Sequence, residues 1–125
     1  MKYLLDTQVF IWWMEENKRL PQKIKFIIDD PTNRIFISVV TPWEIIIKRK
    51  LKKLKVPKNF ENYLMKEVFK IVPIYILHVL NVEQLPHHHK DPFDRVLVSQ
   101  AKAEKLTLIT SDPKIWKYNI SLLKA

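Results

Sequence analysis

Asp6, Glu44, Asp94 and Asp112 are acids set beside segments that would carry them to one edge of a fold. Several carboxylates in one place repel one another, and their pKa values rise unless a divalent cation neutralises them. Carboxylate and water ligation suits Mg2+ or Mn2+ better than zinc. A cation held this way polarises a phosphodiester, helps to make hydroxide from water and stabilises the departing oxygen, so no nucleophilic side chain is needed. The chain has no cysteine, which excludes a thiol nucleophile, a disulfide framework and Cys-ligated metal sites, and fits a reducing, cytoplasmic setting.

Each acid also has a plainer explanation. Asp is a favoured N-cap, Pro is favoured at the first helical position, and acids suit the positive end of a helix dipole. Thr41-Pro42-Trp43-Glu44 has the form of a capping box, and Glu44 can pair with Lys48 one turn later. Asp91-Pro92-Phe93-Asp94 repeats the form, so Asp91 is assigned to the cap and Asp94 to the site, with Asp91 close enough on the helix for a supporting contact. Asp112 precedes Pro113 and would also serve as a cap. Asp6 is harder to explain in this way. It follows Tyr3-Leu4-Leu5 at the edge of a buried strand, where an unpaired charge is costly.

The elements that must position these acids alternate in type. Lys2 to Asp6 reads as a strand, and helical spacing begins at Thr7. Pro21 opens a helix ending at Asp29-Asp30-Pro31, and Arg34 to Val40 reads as a buried strand. Thr41 starts a basic amphipathic helix with Trp43, Ile46, Ile47, Leu51 and Leu54 on its apolar face. Pro57 begins another helix through Val68, Ile71 to Ile76 is a strand, and a short helix runs through Leu80. Asp91-Pro92 opens a helix, Leu106 to Thr110 is a strand, a turn of helix follows Pro113, and Ile120 to Leu122 is a last strand. Such alternation implies βαβ units: an α/β fold with helices on both faces of a mostly parallel sheet, as one domain over residues 1–125. In such sheets the functional crevice lies beyond the carboxyl ends of the strands, where Asp6 and Asp112 fall.

Composition narrows the chemistry further. The chain has no glycine, which removes the phosphate cradles of the P-loop and the dinucleotide fingerprint. The longest apolar stretch, Ile71 to Leu80, is interrupted by Pro73 and His78 and is far short of a bilayer span, so no membrane partner is expected. A net charge of +9 favours polyanionic partners, nucleic acid first, although a lysine-rich surface can serve solubility alone.

The spaced motifs Leu4-Leu5-Asp6-Thr7, Trp43-Glu44-Ile45, His89-Lys90-Asp91-Pro92-Phe93-Asp94-Arg95 and Leu108-Ile109-Thr110-Ser111-Asp112 resemble PIN-domain ribonucleases, and among them the VapC-like toxins of toxin–antitoxin pairs. The resemblance runs over nearly the whole chain. It implies a three-layer α/β/α fold with about five strands in the order 3-2-1-4-5, and Asp6, Glu44, Asp94 and Asp112 as the catalytic and metal-binding acids. It further implies one or two Mg2+ or Mn2+ ions, Thr110 as a supporting hydroxyl, a homodimer, neutralisation by a small antitoxin, and cleavage of RNA to a 5′-phosphate and a 3′-hydroxyl. One departure is Gln8, where relatives of this type commonly carry histidine.

The acid-free basic segment from Lys48 to Lys58 could follow an RNA backbone, with Lys48, Arg49, Lys52, His89 and Arg95 as candidate contacts. Adjacent histidines rarely meet one ion in good geometry, so His87-His88-His89 reads as a loop bordering the crevice. The spacing of Trp12, Trp13 and Trp43 favours packing over base stacking. Three functions follow: a toxin-type endoribonuclease, a non-catalytic basic nucleic-acid-binding module whose acids only cap helices, or a regulatory domain whose apolar helices serve assembly. Carboxylates converging from distant segments favour the first.

Overall fold

The computed structural model describes residues 1–125. Five parallel strands, β1 (Lys2–Leu5), β2 (Arg34–Ser38), β3 (Phe69–Val72), β4 (Thr107–Thr110) and β5 (Leu122–Lys124), form one sheet in the order β3-β2-β1-β4-β5. This is the expected order. Six helices connect them: α1 (Thr7–Glu15), α2 (Gln22–Asp29), α3 (Val40–Lys50), α4 (Phe60–Leu64), α5 (Ile76–Asn81) and α6 (Pro92–Ala103).

Successive side chains of a strand point to opposite faces, and the central strand is apolar on both. Tyr3 and Leu5 join Ile35, Ile37 and Ile109 in a core with Phe10 of α1 and Ile24 and Ile28 of α2. Leu4 and Leu108 point the other way, into a core with Leu97, Val98 and Ala101 of α6. The chain therefore forms three layers, helix on sheet on helix.

The helix expected from Pro57 through Val68 is shorter, spanning only Phe60–Leu64, and the boundaries of three strands also differ from the sequence reading. The second strand stops at Ser38, because Ser38 Oγ caps the Val40 N–H at 2.9 Å and α3 begins at Val40. The third strand spans Phe69–Val72, not residues 71–76: Phe69 fills the core edge-on to Phe10, and Pro73, which has no N–H, cannot extend the ladder. The last strand lies two residues later than expected, at Leu122–Lys124.

A larger correction concerns the face that α3 buries. Its inward residues are Val40, Thr41, Glu44 and Ile45, whereas Trp43, Ile46 and Leu51 of the supposed apolar face are exposed. The helix is rotated so that a carboxylate, and not the longest apolar stripe, faces inward.

Candidate active site

Asp6 is the first residue beyond β1, at the N-cap of α1, where its Oδ1 accepts the Val9 N–H at 2.8 Å. Asp112 lies two residues beyond the neighbouring β4, its N–H held by Thr110 Oγ1 at 3.0 Å and its Oδ1 accepting the Lys114 N–H at 2.9 Å. Because β1 and β4 pair in parallel, their carboxyl ends deliver both acids to one side of the sheet. Glu44 approaches from the second turn of α3 and Asp94 from the first turn of α6. All four line a single cavity of about 190 Å3, with Thr7, Gln8, Lys48 and Ser111 among its other walls.

Plain capping explains less than the sequence allowed. α3 has Val39 at its N-cap, whose side chain cannot cap, and the nearby hydroxyl of Ser38 takes the Val40 N–H instead, so the expected box between Thr41 and Glu44 does not form. Glu44 is 6% exposed; its Oε1 accepts from Thr7 Oγ1 at 2.7 Å and its Oε2 pairs with Lys48. Asp91 does cap α6, accepting the N–H groups of Phe93 at 2.8 Å and Asp94 at 3.2 Å, which frees Asp94 for the cavity. Asp6 combines both roles, since a single oxygen serves the cap.

Burial and mutual repulsion mark the cluster. Asp94 is pushed up to about 8 by burial and then by the charges of Asp91, Glu44, Asp6 and Asp112. Asp6 rises to about 6, again mainly through burial, although hydrogen bonds from Thr110 and the Val9 N–H oppose the shift. Two donor groups already bridge the acids. Lys48 Nζ reaches Glu44 and lies 3.6 Å from Asp91 Oδ2; His89 Nε2 lies 2.7 Å from Asp112 Oδ2 and 3.1 Å from Asp94 Oδ2. Oxygen donors of this kind, close together and short of positive charge, fit a hard divalent cation such as Mg2+ or Mn2+.

Three of the candidate RNA contacts, Arg95, Lys48 and His89, are engaged within the fold, His89 by Asp112 and Asp94 as described above. Arg95 is 7% exposed and turned away from solvent. Its guanidinium donates to the carbonyls of Val82, Leu85, Pro86 and His89 and to the Tyr118 hydroxyl, so it clamps the loop before α6. Lys48 is turned into the acid cluster by its pairing with Glu44 and Asp91. Arg49 is exposed with its guanidinium over the Phe60 ring, and Lys52 is exposed. Sequence reasoning missed Thr7, Tyr118 and Trp116, whose indole N–H donates to the Thr110 carbonyl at 2.9 Å; a polar residue directly after Asp6 was the one available signal.

The largest cavity, about 480 Å3, lies elsewhere, between Trp13, Met14, Glu15, Glu16, Lys25, Asp29, Tyr63 and Lys66. Two of its polar groups are engaged, Asp29 by the Trp13 indole at 3.1 Å and Lys66 over the Trp13 and Tyr63 rings. The convergent carboxylates, not cavity size, identify the candidate active site.

The family model described as PIN domain matches residues 3–120, so the match spans every one of these acids. The chain belongs to the PIN domain family. Among solved structures, this PIN domain is similar to VapBC2 from Rickettsia felis bound to a DNA fragment from its promoter, with TM-score 0.72 and 18% identity over 99% of this chain and 98% of that one. It is also similar to DNA-bound VapBC from Salmonella typhimurium, with TM-score 0.68 and 14% identity over 99% and 98% of the two chains. A third similar structure, a toxin–antitoxin complex from Klebsiella pneumoniae, has TM-score 0.66 and 20% identity over 97% and 95%. At these identities the likeness is one of fold. Comparison with curated proteins gives no match.

Proposed function

We propose that this PIN domain is a Mg2+-dependent endoribonuclease and the toxin of a toxin–antitoxin pair. The observation that carries the reading is the convergence of Asp6, Glu44, Asp94 and Asp112 on one small cavity in which burial and like charge leave Asp94 and Asp6 short of positive partners. These acids would hold Mg2+ or Mn2+, which when bound supplies Lewis acidity toward the phosphodiester and eases deprotonation of water. Hydrolysis then consists of attack by a water oxygen on phosphorus and breakage of the bond to the 3′ oxygen, leaving a 5′-phosphate and a 3′-hydroxyl. Thr7 and Lys48 orient Glu44, and the Val9 N–H and Thr110 orient Asp6.

RNA is the favoured substrate because the molecule carries a net charge of +9 and its basic residues from Arg49 to Lys58 continue from the helix that supplies Glu44. The antitoxin partner is supported by the toxin–antitoxin complexes among the similar structures. A homodimer is supported by the apolar residues left open on α3 and α5: Trp43, Ile46, Ile76, Leu77 and Leu80.

Purified wild type is compared with Asp6→Asn and Asp94→Asn on total RNA, with Mg2+ or with a chelator. The expected outcome is cleavage by wild type with Mg2+ only, and a loss of roughly 100-fold or more in each variant. Salt-sensitive RNA binding without cleavage in any condition would return the chain to a non-catalytic binding module.

A further inference from the structure

His89, Asp94 and Asp112 bring a ring nitrogen and two carboxylate oxygens within 4.8 Å of one another, a grouping that invites a metal ligated by histidine. The hydrogen bonds around the ring argue otherwise. The Asp91 N–H donates to His89 Nδ1 at 3.0 Å, so Nδ1 presents its lone pair and the ring proton sits on Nε2. Nε2 then has no lone pair for a metal, and faces Asp112 Oδ2 at 2.7 Å and Asp94 Oδ2 at 3.1 Å as a donor to both.

The ring has little freedom to exchange these roles. The His89 N–H donates to the Tyr118 hydroxyl at 3.1 Å, and its carbonyl accepts from Arg95 Nη1 at 3.3 Å. Arg95 also donates to the carbonyls of Val82, Leu85 and Pro86, which holds the preceding loop. The His89 side chain is 11% exposed. A buried arginine clamp and a backbone amide thus fix both the position of the imidazole and the nitrogen that carries its proton.

We propose that His89 is a positioning residue and not a metal ligand: its fixed Nε2–H draws one oxygen each of Asp94 and Asp112 together and leaves the second Asp94 oxygen free for a cation. Those two acids arrive from different elements, the start of α6 and the end of β4, and would otherwise separate by repulsion. The inference rests on the metal-dependent reading above and adds the means by which half of the acid set is held.

Mn2+ serves as the probe, in two measurements on the full chain. In the pulsed electron paramagnetic resonance spectrum of the wild-type complex, no imidazole nitrogen coupling to Mn2+ is expected. In titrations, His89→Ala is expected to bind Mn2+ about 10- to 100-fold more weakly. His89→Gln, whose side-chain amide can still donate, is expected to recover part of that loss. Nitrogen coupling in the wild type overturns the assignment while leaving the acidic metal site standing, as does equal Mn2+ affinity in wild type and His89→Ala. Failure of wild type to bind Mn2+ overturns this assignment and the nuclease reading together. Because the spectrum needs no variant, the test survives a His89→Ala protein that does not fold.

Discussion

Arg95 shows how far a side chain's role depends on its surroundings. Five donor contacts to backbone carbonyls and the Tyr118 hydroxyl leave its buried charge hydrogen-bonded, and removal would strand several acceptors at once. Arg95→Ala is expected to destabilise the fold by about 3 kcal/mol, measured by urea unfolding, and to loosen His89 with it. A change of less than about 0.5 kcal/mol, the range of ordinary surface substitutions, would mean that the clamp does not form. Glu44 makes the opposite point, since a residue with a ready capping explanation is in fact held by Thr7 and Lys48 inside the cavity.

At the scale of the element, the absence of glycine leaves a trace in the helix ends. Glu16, Lys52 and Lys105 sit at or just past the ends of α1, α3 and α6 with φ of 52°, 59° and 56°, the left-handed region that glycine enters freely. Lys105 is exposed, so its side chain offers little packing in return. Lys105→Gly is therefore expected to stabilise the protein by about 1 kcal/mol, read as a rise in Tm; an unchanged or lower Tm would show that the lysine is not strained there. The short helix α5 exposes Ile76, Leu77, Val79 and Leu80, more apolar surface than a helix of this length would present without a partner. Leu77→Glu is expected to convert a dimer into a monomer in sedimentation experiments without loss of helix signal. A wild type that sediments as a monomer would remove the dimer from the proposal.

The whole molecule combines a basic exterior with one concentrated acidic recess, and the recess makes its stability depend on pH and cations. Asp94 at about 8 and Asp6 at about 6 both lie above the ordinary 3.8, burial being the first cause. The folded state therefore binds more protons than the unfolded chain between 3.8 and about 8, and stability of the cation-free protein falls as pH rises through that window. Below 3.8 both states are protonated at these groups and the penalty vanishes. Melting curves with a chelator are expected to show Tm dropping from pH 5 to pH 8, and Mn2+ is expected to reverse the drop most strongly at the higher pH. A Tm that rises over this range without cation, and ignores Mn2+, would contradict a crowded carboxylate site.

Much of this was legible along the chain because it depends on local patterning. Apolar runs such as Tyr3-Leu4-Leu5 and Leu108-Ile109 at regular intervals between helical segments dictated a parallel α/β sheet, and Asp91-Pro92 announced the start of α6 by cap chemistry that needs only neighbouring residues. Motif resemblance added the strand order and the family. Tertiary structure decided what depends on rotation and approach: which way α3 turns, so that Glu44 is buried and Trp43 and Ile46 are not, and that Arg95 leaves the surface while Lys48 turns toward Glu44. Periodicity specifies a helix's stripe but not the neighbour it faces, and a charge becomes a clamp or a ligand only through groups folded against it from elsewhere in the chain.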